Sequence, residues 1–306
     1  MMKRVLWIAV LAIGALSLSG CCYFASGGQP FKIVNEIVTG SVEHKALTVQ
    51  PDDVERVQAT VRFGGGELNV RTGSDALLLA EFAYNVDSLE PEITYDVRDK
   101  QGFLLVEHKA DPIRLDQLGS SVRGELVNEW TLSFAEGVPM DLRLDVGASS
   151  GEIELGGLAI ENLDLTMGAA DLRLGFAKPN PERLTSFHIY SGAAKLELHE
   201  LGNANLDELA FDGGLGTYLF DFGGEWQRSA NVRILAGASQ VTLRLPQEIG
   251  VRVCPGDLPR LPRKRLRELE ERDGCYVNAL YDQSDVTLDI DLDLGLGKLE
   301  LKQSYK

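Results

Sequence analysis

Residues 163–174 read Leu-Asp-Leu-Thr-Met-Gly-Ala-Ala-Asp-Leu-Arg-Leu, and residues 187–198 read Phe-His-Ile-Tyr-Ser-Gly-Ala-Ala-Lys-Leu-Glu-Leu. In both, apolar and polar residues alternate, a glycine with small neighbours interrupts, and the alternation resumes. The phrase recurs around Gly147, Gly213, Gly237 and Gly295, with an early copy around Gly64. The glycines at 147, 168, 192, 213 and 237 are 21, 24, 21 and 24 residues apart, and the step from 237 to 295 is 58, long enough to hold an insertion. Alternation with period two indicates strand, and a glycine between two such runs indicates a tight corner. Gly64, Gly147, Gly168, Gly192, Gly213, Gly237 and Gly295 are therefore expected to be structural turn glycines, using the positive φ that glycine tolerates. A repeat of 21–24 residues accommodates two short strands and two turns, one rung of a β-solenoid. Five or six rungs spaced by about 4.8 Å would make a rod only about 25–30 Å long. A β-sandwich or meander also uses alternating strands and glycine turns, but the regular spacing and near-identical corners favour the solenoid.

Working outward, residues 51–140 are less regular. Alternating runs at 57–61, 68–70, 77–84, 93–97, 103–106 and 128–132 predict a β-rich N-terminal part packed onto the solenoid of residues 141–306. The phrases FGGGELNVRTG at 63–73, EFAYN at 81–85, NEWTLSF at 128–134 and VPMDLRLDVGAS at 138–149 resemble the toast-rack family, as do the later LDLTMGAADLRL and NVRILAGASQVTLRLP segments. The resemblance spans roughly residues 55–306. It implies an extracytoplasmic β-solenoid of the kind described as a candidate adhesin or a domain of unknown function. It supplies no catalytic residues to carry over.

The first 20 residues carry the features of an export signal: Lys3 and Arg4, an apolar run from Val5 to Leu16, then small residues. The run is shorter than the ~20 residues that span a bilayer. It ends in Leu18-Ser19-Gly20-Cys21, which resembles the bacterial lipobox, so Cys21 is expected to be the acylated first residue of the mature chain. Two or more acyl chains give stable anchoring at roughly 0.8 kcal/mol per buried CH₂. Residues 21–50, with Ser26-Gly27-Gly28-Gln29-Pro30, read as a tether and lead-in.

Cys254 and Cys275 bracket the insertion. Outside the cytoplasm such a pair is normally oxidised, so a disulfide is expected to close a loop at 254–275. Within it, Lys264 to Arg272 reads as a short helix that could dock through Leu266 and Leu269. Arg260, Arg263, Lys264, Arg265 and Arg267 make a basic cluster. That cluster suits either anionic headgroups or the neighbouring Glu268, Glu270 and Glu271.

The 306 residues include 46 acidic and 30 basic side chains, a net charge of −16. Removing Lys3 and Arg4 with the leader leaves 28 against 46, or −18. A chain so negative repels phosphate backbones, which excludes nucleic acid as a partner. Asp285, Asp289, Asp291 and Asp293 could line a strand face and bind Ca²⁺, which takes six to eight oxygens, but an outward carboxylate row is the ordinary solvated face of a solenoid and no calcium-binding nonapeptide repeat occurs. His44, His108, His188 and His199 show no metal-binding spacing; His188 and His199 could approach one another across adjacent strands. No nucleophile elbow, phosphate loop or dinucleotide fingerprint occurs, and no cofactor, metal or catalytic residue is expected. The function read from these features is a non-enzymatic, lipid-anchored structural, adhesive or sensing module of the bacterial envelope. The membrane would be its partner through Cys21, with a protein or envelope polymer as a second partner. The alternatives are a polysaccharide-active β-helix enzyme and a lipid-binding envelope carrier.

Overall fold

The computed structural model describes residues 37–109, 122–256 and 269–304. The strands are β1 (Ile37–Val38), β2 (Glu43–Val49), β3 (Arg56–Thr72), β4 (Leu78–Tyr84), β5 (Pro91–Arg98), β6 (Gln101–His108), β7 (Val122–Arg123), β8 (Asn128–Phe134) and β9 (Met140–Glu154). They continue as β10 (Ile160–Gly175), β11 (Leu184–His199), β12 (Leu206–Asp221), β13 (Ala230–Leu245), β14 (Gly250–Pro255), β15 (Leu269–Arg272), β16 (Cys275–Asn278) and β17 (Thr287–Gln303). The only helical pieces among the described residues are two 3-10 turns, Asp87–Leu89 and Leu201–Ala204.

The long strands β3, β9, β10, β11, β12, β13 and β17 run parallel in that order. Each is one coil of a β-solenoid. The coil is not two short strands joined by a turn, as its sequence suggests, but one hydrogen-bonded strand of 15–17 residues folded at its middle. Two observations establish the fold. In β10 the buried residues on either side of the corner are Leu163, Leu165 and Met167, then Ala170, Leu172 and Leu174, so the inward phase slips by one residue at Gly168-Ala169. In β12 the Phe211 ring lies 4.6 Å from Tyr218 and 5.1 Å from Phe220, although seven and nine residues of straight strand would separate them by roughly 23 and 30 Å. The two arms therefore close on each other like a hairpin, and the apolar side chains of both fill the space between them.

Register stacks those side chains into ladders. On the first arm Ala59, Leu142, Leu163, Phe187, Leu209, Val232, Ile290 and Val253 succeed one another. On the second, Val70, Ile153, Leu174, Leu198, Phe220, Leu243 and Leu301 do so. Nearly all are shielded from water, and they form one continuous core. Seven coils make the stack, one or two more than the sequence suggested, because β3 at residues 56–72 adjoins β9 and serves as the first coil.

The corner glycines form a column, for a reason other than the expected one. The left-handed glycines among the described residues are Gly66, Gly73, Gly124, Gly137, Gly151, Gly157, Gly224, Gly274 and Gly297, and none of the seven predicted turn glycines is among them. Close approach of stacked backbones is the actual constraint. A Cβ on Gly192 would stand 2.9 Å from the Gly168 carbonyl oxygen, one on Gly237 2.7 Å from that of Gly214, and one on Gly147 would overlap the Gly64 carbonyl outright. At Gly168 and Gly295 the same approach relaxes to 3.2 and 3.3 Å. In the fifth coil Gly214, not Gly213, occupies the column, stacking over Gly192 and under Gly237. Gly213 sits one step earlier, where an added Cβ would strike the Phe211 ring.

The stack ends differently at its two faces. At the first coil, β6 pairs with the first half of β3 and β8 with its second half, and β5, β4 and β2 extend these flaps. At the last coil, β14 covers only Thr287–Leu292 of β17. The Cys254–Cys275 disulfide, with Cα atoms 4.2 Å apart, joins β14 to the β16 end of an antiparallel hairpin with β15. Leu269–Arg272 is thus strand where helix is expected. Asp273 and Gly274 both have positive φ (49° and 82°), as the two-residue turn that joins such strands requires. Leu269 packs partly buried on the core. Cys21 and its leader, the tether to residue 36, Leu266 and the basic cluster at 260–267 lie outside the described residues.

Candidate functional site

With the interior filled by side chains, what the molecule offers to a partner is its outer surface: two ribbed arm faces, the corner ridge and the two ends. On the first arm, outward register places Arg143, Asp164, His188, Ala210, Arg233 and Asp291 one above another. On the second, Glu152, Arg173 and Glu197 form one column and Asp171 and Lys195 belong to the next. Coils about 4.8 Å apart bring same-column groups within reach. Opposite charges pair where Lys195 Nζ lies 3.2 Å from Asp171, and His188 Nδ1 lies 3.3 Å from Asp164. Hydrogen bonding to Asp145 holds the Arg143 guanidinium above its ordinary value, and contacts with Glu197 and Asp171 do the same for the Lys195 ammonium. Exposed pairs of this kind contribute little each to stability; in these columns they set opposite charges on neighbouring coils, whereas at the last step Arg244 of β13 faces Lys302 of β17.

The predicted acidic row does not converge. Asp289 accepts from Arg252 Nε at 2.5 Å and from Tyr281 Oη at 2.7 Å, while Asp291 and Asp293 stand exposed on the same strand. Among the described residues no group of three His, Cys, Asp or Glu side chains is placed to hold a metal ion. His188 and His199 do not meet across adjacent strands: both belong to β11, on opposite arms of the coil, and His199 lies 3.3 Å from Glu197.

Shallow clefts lie beside the ridge, at an end of the stack and, between Glu154, Arg173 and His199, on the second arm. One of about 510 Å³ runs beside the corner between Asp212, Leu235 and Asp293. Another, about 370 Å³, lies at the first-coil end between Val38, Glu43, Tyr84 and Asp87.

Two structural devices escaped the sequence reading. The first is a set of buried asparagines where one coil passes to the next. Asn180 donates to the carbonyls of Ile160 and Ala204 and accepts from the amides of Ile160 and Glu182. Asn203 donates to Phe176 and accepts from Glu225, so each asparagine stitches neighbouring coils through backbone groups that would otherwise be buried unpaired. Their signal was present: Asn180 and Asn203 are 23 residues apart, one repeat. The second device plugs the first coil. Trp130 is fully buried against Phe63, Phe82 and His108, with ring centroids 5.0, 5.2 and 4.7 Å away. His108 accepts from the Gly64 amide at Nε2 and donates from Nδ1 to the Leu89 carbonyl. Burial pushes this imidazole below its ordinary value, so it is held neutral.

With this geometry in hand, the family profile described as the N-terminal domain of toast_rack, DUF2154, matches residues 38–199. The chain belongs to the toast_rack family. The matched residues run from β1 through the fourth coil, and the remaining three coils repeat the same register. No curated protein matches the chain. Among solved structures, a candidate cell adhesion protein from Clostridium sporogenes is similar at 20% identity, TM-score 0.45, over 86% of this chain and 100% of its own. A candidate adhesin from Bacteroides fragilis is similar at 11% identity, TM-score 0.33, over 87% and 99%. A candidate lipid binding protein from Parabacteroides distasonis is similar at 9% identity, TM-score 0.28, over 87% and 98%. No helix among the described residues is long and apolar enough to cross a membrane.

Proposed function

We propose that this toast_rack protein is a non-enzymatic structural or adhesion module of the bacterial cell envelope, held on the outside of a membrane by acyl chains on Cys21. The single observation that carries the reading is the filling of the solenoid. Both arms send their large side chains inward, among them Phe187, Phe211 and Phe220, and Trp130 of the β8 flap plugs the end, all essentially without exposure. Recognition therefore falls to rigid, charge-paired outer faces, as suits a spacer or docking rod for a protein or envelope polymer. The same filling argues against a carrier that would house an acyl chain inside. The Cys254–Cys275 disulfide supports an oxidising compartment.

The test joins location to activity. Cells expressing the wild-type chain and Cys21→Ser are fed radiolabelled palmitate and fractionated. The purified Cys21→Ser protein is then incubated with neutral and acidic envelope polysaccharides. The expected outcome is label and membrane retention in the wild type alone, with polysaccharide retained and no new reducing ends formed. Label on the Cys21→Ser protein overturns the anchor, and reproducible release of reducing sugar overturns the non-enzymatic reading.

A further inference from the structure

The last coil leaves half of its backbone edge without a partner strand among the described residues. β14 pairs with Thr287–Leu292, and its ladder stops at the corner; Leu294–Lys302 have β13 on one side and no described strand on the other. An unpaired strand edge offers a row of amide and carbonyl groups to any chain that can lie along it. Natural proteins blunt such edges with proline, a bulge, charged side chains or an inward-pointing charge. Residues 294–302 carry no proline and no inward-pointing charge: Leu299 and Leu301 point inward, and Leu296, Lys298, Glu300 and Lys302 point outward, so the charges on this edge are of both signs and exclude only a partner that does not match them. Leu296 is 74% exposed, the highest value among the exposed large hydrophobic residues that the structure describes.

We infer that this edge is a self-association surface, on which β17 of a second copy pairs antiparallel about a two-fold axis through Leu299. Three features select this occupant. End-to-tail stacking of coils is blocked, because both halves of β3 at the opposite end already have partners in β6 and β8; a contact between like edges must then be isologous. Next, the sequence Lys298-Leu299-Glu300-Leu301-Lys302 is complementary to itself only in certain registers. An axis through Leu299 sets Lys298 opposite the partner's Glu300, and lays the aliphatic stem of the partner's Lys302 over Leu296. An axis through Glu300 would instead set Glu300 against its twin and Lys298 against the partner's Lys302, which like-charge repulsion disfavours. In the single chain Glu300 already binds both lysines, which hold its carboxyl down to about 2, so the charges needed for pairing are fully developed at neutral pH. Finally, the chain's own continuation is ill suited to complete the ladder. Extending the β14 register beyond Pro255–Leu292 would bring Pro259 and Pro262 opposite Leu296 and Leu299, and proline has no N–H to donate.

The experiment uses the whole chain with Cys21→Ser and Cys22→Ser, so that neither acyl chains nor leader thiols drive association. Sedimentation velocity up to about 100 μM protein, enough to populate even a weak dimer, should show the mass doubling. Glu300→Lys should abolish the dimer, and the swap Lys298→Glu with Glu300→Lys should restore it. Hydrogen exchange at 294–302 should slow with protein concentration. A wild-type chain that stays monomeric overturns the proposal. So does a dimer indifferent to Glu300→Lys, and so do edge amides protected in the monomer until residues 257–268 are deleted, which would assign the edge to the chain's own loop. A swap variant that fails to re-associate overturns the register.

Discussion

The two ends of the coil stack solve one problem by different means. At the first coil, flaps built from β6 and β8 cover both arms, and an aromatic plug of Phe63, Phe82, His108 and Trp130 seals the space between them. At the last coil β14 is the one covering strand among the described residues and lies on one arm, and a disulfide ties that cover to a two-stranded hairpin. The difference teaches where cohesion must come from. A large end can be closed by burial alone, because Trp130 and its neighbours remove much apolar area from water. The short C-terminal cap, with strands of four to six residues, has little area to bury and relies on a covalent link.

The sharpest way to break this comparison is Trp130→Ala. Truncating a fully buried tryptophan should cost about 3–5 kcal/mol in denaturant unfolding. A loss below about 1 kcal/mol would mean that the plug does not hold the first coil closed. A second contrast runs along the glycine column. Gly147→Ala, near the plugged end, must force its methyl into the Gly64 carbonyl and should cost about 1–3 kcal/mol or more. Gly295→Ala, at the open end, meets Gly237 at 3.3 Å and should stay within about 1 kcal/mol. Equal costs at both positions would show that stacking is uniform after all.

The smallest effect sharpens the comparison through pH. The folded state keeps His108 neutral below the ordinary imidazole value of 6.5. Above that value neither state gains a proton there, and stability is complete. As pH falls below it the unfolded chain is protonated first, so stability declines until the lower folded value is reached, by at most about 1.4 kcal/mol per pH unit. Melting temperature should drop between pH 7 and pH 5 more steeply for the wild type than for His108→Gln. Parallel curves would show that the plug histidine contributes nothing to acid sensitivity.

Much of this architecture could be read before any coordinates, because a solenoid writes its geometry as a period. Alternation in Leu163–Leu174 and Phe187–Leu198 identified the arms, and the spacing of the glycines marked the corners. What failed was local. Asp212-Gly213-Gly214-Leu215 contains two glycines, and only the inward phase set by Phe211 and Tyr218 reveals that the second occupies the column. The run from 264 to 272 reads as helix by composition, yet Asp273-Gly274 is a hairpin signal, and the bonds to β16 override helix propensity at Leu269–Arg272. Positive φ was the wrong explanation for the corner glycines, since sequence alone cannot distinguish conformational freedom from a close neighbour. The plug was hidden because Trp130 and His108 are brought together by pairing between distant strands.

The outward columns of alternating charge have a consequence for how such a rod can grow. Tandem duplication of one coil without change would set every carboxylate above its own copy and every guanidinium above another, at the spacing where repulsion is strongest. Glu152, Arg173 and Glu197 show successive coils doing the opposite at a single position. A lengthening solenoid of this kind must keep its leucines and glycines while exchanging the signs of its surface, so neighbouring repeats are driven apart in sequence by the same contact that keeps them together in space.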